Sequence, residues 1–155
     1  MTYHIETRSL TAQPTAVIRS SMPVAQLRGW LAGAYQELDR YLAEQGISAV
    51  GPPFARYAFH GAVVDVEAGF PVPGPVPDSG RWVTASRLPA GPVAVAVHEG
   101  HYQDLGLAYQ AVTGWLKERG LEPAGPHWDV YYTNLAAQPD TATWRTDVVA
   151  PYRIG

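Results

Sequence analysis

Two stretches of this chain are close copies of each other. Residues 41–57 read YLAEQGISAVGPPFARY and residues 115–131 read WLKERGLEPAGPHWDVY. Without a gap, Leu42 falls on Leu116, Glu44 on Glu118, Gly46 on Gly120, Gly51 on Gly125, Pro52 on Pro126 and Tyr57 on Tyr131. Between them Tyr41 meets Trp115, Ile47 meets Leu121 and Phe54 meets Trp128. The same offset continues upstream, pairing Leu31 with Leu105, Ala34 with Ala108, Tyr35 with Tyr109 and Leu38 with Val112. A chain made of two such halves is expected to fold into a pseudo-twofold object. Ligand pockets favour the junctions of such halves, so binding in a central cleft is expected.

Local patterns fill in each half. Thr15–Ser21 is a short β-branched run and reads as a strand. Pro23 suits the first turn of a helix, and Leu27, Leu31, Ala34, Leu38 and Leu42 follow at helical spacing until Gly46 stops it. A GPPF turn leads to strands Ala55–Phe59 and Val63–Phe70. PVPGPVPDSG, residues 71–80, holds neither a helix nor a central strand and reads as a linker. The second half opens with Val83–Leu88 and Pro92–His98, then a helix from Tyr102 to Arg119 that closes at Gly120. GPHWDVYYT turns into a strand, and Trp144–Tyr152 is the last one. The reading is α+β: two β-α-β-β modules, about 14–72 and 83–152, giving an antiparallel sheet with two main helices.

Composition narrows the function. At 155 residues the chain suits one domain, 1–155, with a real core. Net charge is −3 and no Lys/Arg run exists, so no direct nucleic-acid binding is expected. There is no cysteine, hence no disulfide or thiolate chemistry. MTYHIETRSL lacks the basic and apolar parts of a leader and no apolar run is long enough to span a membrane, so a cytoplasmic protein is expected. His98 and His101 in HEGH stand three apart at a strand end, not four apart on a helix, and no P-loop or dinucleotide glycine pattern is present. Neither metal nor cofactor is expected. Five Trp and nine Tyr in so weakly charged a chain suit a cavity for flat apolar molecules as well as a core. Exposed sheet edges allow a homodimer without requiring one.

The ordered set GPPFARY, VDVEAGFPV, LPAGPVAVAVHEGHYQDLGLAYQAVTGWL, WDVYYTN and WRTDVVAPY, from about residue 14 to 152, resembles the GyrI-like effector-binding domain. This is the multidrug-sensing domain of MerR- and AraC-type regulators, which also occurs as a stand-alone protein. The resemblance implies two β-α-β-β modules around a hydrophobic cleft that binds bulky, often cationic aromatic compounds. The family's acid sits in a Trp-Glu-Val-Tyr strand motif, here WDVY, which places it at Asp129. Strand alternation independently puts Asp129, Tyr131 and Thr133 on one face and Trp128, Val130 and Tyr132 on the other. A carboxylate beside tyrosines suits an organic cation, through charge and cation–π attraction.

The resemblance further maps its helix-entrance aromatic onto Tyr102 and its last-strand aromatic onto Trp144. Tyr57 and Phe59 mirror Tyr131 and Thr133 in the first half, with Phe54 near the turn. Tyr35 and Tyr109 read as packing residues, and Glu67 as a solvated strand residue or a second acid. The chain departs from the family at Asp129, one methylene shorter than glutamate, at Gly100-His101-Tyr102 in place of Gly-Pro-Tyr, and at Thr133-Asn134-Leu135 in place of Thr-Asp-Pro. Two functions besides binding stay open. One is hydrolysis of cyclopropane-type electrophiles, with Asp129 as the acid and Tyr102 or Tyr131 assisting. The other is a gyrase-modulating type of protein-interaction module.

Overall fold

The β-branched run that begins at Thr15 lies within strand β2, Gln13–Pro23, in the computed structural model, which describes residues 3–77, 82–101, 104–132 and 144–154. Branched side chains favour extended backbone, which packs them without crowding. Pro23 has no N–H to place in a helix interior. It closes β2 and leads through a single 3-10 turn, Val24–Gln26, into helix α1, Leu27–Gln45. α1 stops at Gly46, whose φ of 67° is the left-handed cap that glycine takes without strain. β3 (Phe54–His60) and β4 (Val63–Pro71) form a hairpin. Then come β5 (Thr84–Leu88), β6 (Gly91–Glu99), α2 (Leu105–Glu118), β7 (Leu121–Pro123), β8 (Trp128–Tyr131) and β9 (Arg145–Ile154). All strand pairings within each unit are antiparallel, and the fold is α+β.

One strand precedes all of these and was not expected. β1, Ile5–Leu10, reads IETRSL, too polar to show an apolar run. It belongs to a compact unit made of Met1–Thr11 and Ala90–Gly155, in which the strand order is β1-β6-β9-β8, with β7 also paired to β9. The second unit, Ala12–Pro89, has the order β5-β2-β4-β3. Val83–Leu88 was expected to open the second half. Instead β5 pairs with β2, with Thr15 opposite Ser86, and completes the sheet of the first. The stretch 71–80, expected as a linker, buries Val72 and Val76 in the core of that same unit, and the Val72 N–H donates to the Pro14 carbonyl. A Pro/Gly-rich composition rules out regular structure but leaves its apolar residues free to pack.

Each helix lays an apolar stripe on its own sheet. Ala34, Leu38, Tyr41 and Leu42 of α1 pack with Ala16, Ile18, Ala68 and Val72. Leu105, Ala108, Val112 and Leu116 of α2 pack with Ala94, Ala96, Val148 and Ala150. Full burial of one such large side chain is worth roughly 1.5–3 kcal/mol. Small residues on the strands let the helices sit close. On the opposite face of the first unit, Glu67 is buried rather than solvated: Arg19 donates to it at 2.8 Å and Arg56 stands 3.5 Å away.

Gly69 marks the tightest point of that face. A Cβ there would meet the Ala16 carbonyl oxygen at 2.7 Å, Val17 Cγ1 at 2.7 Å and Phe54 Cζ at 2.8 Å. Gly69→Ala is therefore expected to lower stability by roughly 1–3 kcal/mol, the usual size of an overpacking defect. A urea midpoint unchanged from wild type would contradict this.

Candidate functional site

The WDVY run is short but β8 is held in register by β9: Trp128 faces Val149, Asp129 faces Val148 and Tyr131 faces Thr146. Val148 lies in the core beneath α2, so alternation places Asp129 and Tyr131 on the helix-covered face. Tyr132 lies on the other face, where the Arg145 guanidinium sits 4.6 Å from its ring centre. The alternation read from the sequence is the one the sheet adopts over Trp128–Tyr131, and Thr133 lies outside the described residues.

Asp129 is completely buried. Its Oδ2 accepts a hydrogen bond from the Tyr109 hydroxyl at 2.5 Å, and the Tyr131 hydroxyl lies 3.5 Å away, at the outer limit of such a bond. Its Oδ1 has no hydrogen-bond partner among the described residues. Burial pushes the carboxyl up from 3.8 to about 7, while the bonds from Tyr109 and Tyr131 pull the other way. Loss of hydration therefore outweighs both tyrosines, and near neutral pH the group is close to half protonated. The His127 ring packs on that of Tyr109 with centroids 4.5 Å apart. Burial lowers the pKa of His127, and its Nε2 also lacks a partner among the described residues. The result is a neutral imidazole and an aromatic floor beside a carboxyl group with one oxygen unused.

Of the residues expected at a site, the structure brings Asp129 and Tyr131 together. Trp144 stands just before β9 and stacks on His101, with centroids 5.3 Å apart. Tyr102 lies outside the described residues. In the other unit Tyr57 and Phe59 stack at 5.8 Å, Tyr57 buried and Phe59 half exposed, while Phe54 is fully buried over Gly69. Tyr109, read from the sequence as a packing residue, is the closest polar neighbour of the acid. Its place on the offset is the signal that points to it. Tyr35, its match, donates its hydroxyl to the Phe54 carbonyl at 2.6 Å, so Tyr35 reaches from α1 to β3 as Tyr109 reaches from α2 to β8. Position 55, which matches 129, is alanine, so Tyr35 finds backbone where Tyr109 finds a carboxyl.

His98 is fully engaged as a structural residue. Its Nδ1 lies 2.9 Å from the Tyr3 hydroxyl and its Nε2 lies 3.0 Å from the His101 carbonyl, so Nε2 donates and Nδ1 accepts. Among the described residues no group of three His, Cys, Asp or Glu side chains is placed to hold a metal, and no helix is long and apolar enough to cross a membrane. A surface depression lined by Pro14, Pro75, Ala85, Ser86 and Arg87 contains none of the candidate residues.

Comparison with known proteins bears on the fold and the family. No curated protein matches the sequence. Among solved structures, the EcmrR C-terminal domain is 18% identical and superposes with a TM-score of 0.81, with 100% of each chain covered. EcmrR in its DNA complex gives a TM-score of 0.86 at 18% identity, and there this chain, covered over 99%, spans 58% of the longer one. A hydrolase from Listeria innocua is 11% identical, with a TM-score of 0.68 over 98% of this chain and 93% of its own. SAV2435 bound to tetraphenylphosphonium is also 11% identical, with a TM-score of 0.57 over 99% and 94%. These likenesses carry the fold. The model of the GyrI-like small molecule binding domain matches residues 1–153, and the chain belongs to that family.

Proposed function

We propose that the protein binds lipophilic aromatic cations, as a drug-sensing or drug-sequestering module, with Asp129 as the charge anchor. The observation that carries this reading is the buried Asp129 carboxyl, whose Oδ1 has no partner among the described residues, set among Tyr109, Tyr131 and His127. A carboxylate with no counter-charge in an apolar setting is costly on its own and is relieved by an incoming cation. The rings around it add cation–π attraction of roughly 0.5–2 kcal/mol. Family membership and the tetraphenylphosphonium complex of SAV2435 support a ligand of this kind. The internal offset supports a repeat of two β-α-β-β modules, of which the one containing β8 carries the acid.

Calorimetry with naphthylmethyl-trimethylammonium and its neutral carbon isostere, neopentylnaphthalene, tests the reading. The cation is expected to saturate one site and the isostere to bind more weakly. Equal affinity for the two would remove the charge anchor. Tyr109→Phe deletes the donor that favours the ionised carboxyl. It is expected to weaken cation binding at pH 7 by about tenfold, the size of one hydrogen bond to a charged group, and to move the pH dependence of binding upward. An unchanged pH profile would return Tyr109 to a packing role.

The near-neutral pKa of Asp129 favours a second reading. A carboxyl close to half protonated at neutral pH is suited to general-acid work, such as protonating the leaving atom of a strained electrophile as water adds. Release of more than one equivalent of product per protein, abolished in Asp129→Asn, would favour this hydrolase reading. A burst of one equivalent or less would favour binding alone.

A further inference from the structure

A second buried polar atom on the α2-covered face is as unused as Asp129 Oδ1. Thr146 is completely buried, and its Oγ1 has no hydrogen-bond partner among the described residues. Tyr131 sits opposite Thr146 and Asp129 opposite Val148. Thr146 is therefore one same-face step from Asp129 on the adjoining strand. Such diagonal neighbours stand ~7–8 Å apart along the sheet, and their side chains shorten the gap.

The groups around Thr146 do not supply what it lacks. His98 is its partner across β6, but both His98 ring nitrogens are already engaged, by Tyr3 and by the His101 carbonyl. The Tyr109 hydroxyl is committed to Asp129 Oδ2. Proteins rarely keep fully buried polar atoms unsatisfied, and two on one face of one sheet point to a shared ligand.

The chemistry of the two atoms narrows that ligand. An ionised carboxylate oxygen only accepts hydrogen bonds, and a hydroxyl oxygen accepts through two lone pairs. A quaternary cation has charge but no N–H, so it would leave both atoms unpaired beneath it. A primary ammonium or an amidinium has charge and several N–H donors. We infer that Thr146 is a ligand-contacting residue beside Asp129, and that the site prefers aromatic cations carrying at least two N–H donors over quaternary ones. One N–H goes to Asp129 Oδ1 and another to Thr146 Oγ1. This rests on the reading of Asp129 as the charge anchor. A site built to hydrogen-bond a donor discriminates strongly against an analogue without it, because its buried acceptors stay unpaired.

The test compares 1-naphthylmethylammonium with its N,N,N-trimethyl analogue at pH 7.5, both cationic, by calorimetry on wild type, Thr146→Val and Thr146→Ser. Wild type is expected to bind the primary ammonium about tenfold tighter or more. Thr146→Val keeps the branched shape and removes an unpaired hydroxyl, so it is expected to fold, which thermal melting checks. It should weaken the primary ammonium about tenfold and leave the trimethyl analogue within about twofold. Thr146→Ser should restore the preference. Equal affinity of wild type for the two cations overturns the inference. So does an equal change for both in Thr146→Val, the result expected if a bridging water satisfies the hydroxyl. Asp129→Asn separates the two levels of failure. If both cations bind wild type alike and both weaken in Asp129→Asn, the charge anchor stands and only the role of Thr146 falls. If Asp129→Asn weakens neither, both readings fall.

Discussion

Asp129→Asn is expected to weaken naphthylmethyl-trimethylammonium about 30-fold at pH 8 and to leave neopentylnaphthalene within about twofold. Two unit charges 4 Å apart at an effective dielectric of 20 attract by ~4 kcal/mol. Stripping water from the incoming cation offsets a large part of this, the carboxylate being dehydrated already in the fold. A remainder of roughly 2 kcal/mol corresponds to that factor. The same pKa sets the pH dependence. Below about pH 7 the carboxyl holds a proton that the cation must displace, so affinity should fall close to tenfold per pH unit. Above it, affinity should level off. A trimethylammonium group does not titrate, so any slope belongs to the protein. Equal losses for cation and isostere, or an affinity flat from pH 5 to 8, would defeat the electrostatic reading.

The unliganded protein should carry the same signature in its stability. The Asp129 carboxyl goes from 3.8 in its ordinary state to about 7 in the fold, so between these values the folded chain holds a proton that the unfolded chain has lost. The contribution of this group is full below pH 3.8 and is lost as pH rises through 7, after which it is flat. Across the window the loss is roughly 4 kcal/mol, large beside a typical total of about 5–15. At about 2–4 °C per kcal/mol for a chain of this size, that is roughly 10 °C in Tm. Asp129→Asn lacks the titration. Relative to wild type it should gain stability from about pH 4 to about pH 7 and then level off, measured by urea unfolding at each pH. Parallel stability curves for the two would mean that the carboxyl is hydrated in solution.

Helices and most strands were legible in the sequence because local physics writes them. The leucine spacing of α1 and α2, ended by Gly46 and Gly120, and the alternation around Asp129 each depend on a few adjacent residues. What the sequence concealed is nonlocal. Nothing in TASRL says that it pairs with β2 rather than with the strand it precedes, since that depends on which edge is open. Tyr109 lies beside the buried stripe of α2, and only the approach of β8 turns its hydroxyl into a donor to Asp129. Thr146 in WRTDVV reads as an ordinary strand residue until its register with Tyr131 fixes its face. The offset held a better clue than alternation alone. The matched tyrosines 35 and 109 agree while the matched positions 55 and 129 do not, and the proposed site falls where the two stretches differ.

The pairing of β1 with β6 also imposes an order of events on a chain emerging from its N-terminus. Ile5 must wait for Ala96, while every residue of the Ala12–Pro89 unit is made in between. That unit can close early on contacts of its own, and the unit bearing Asp129 closes after it, by recapturing a strand made before it. Late, long-range pairing of this sort slows folding. A waiting strand is also open to pairing with the wrong neighbour, and alternating charges are the usual safeguard. Glu6, partly exposed, and Arg8, exposed, pair with each other in the finished fold and place opposite charges on this waiting strand.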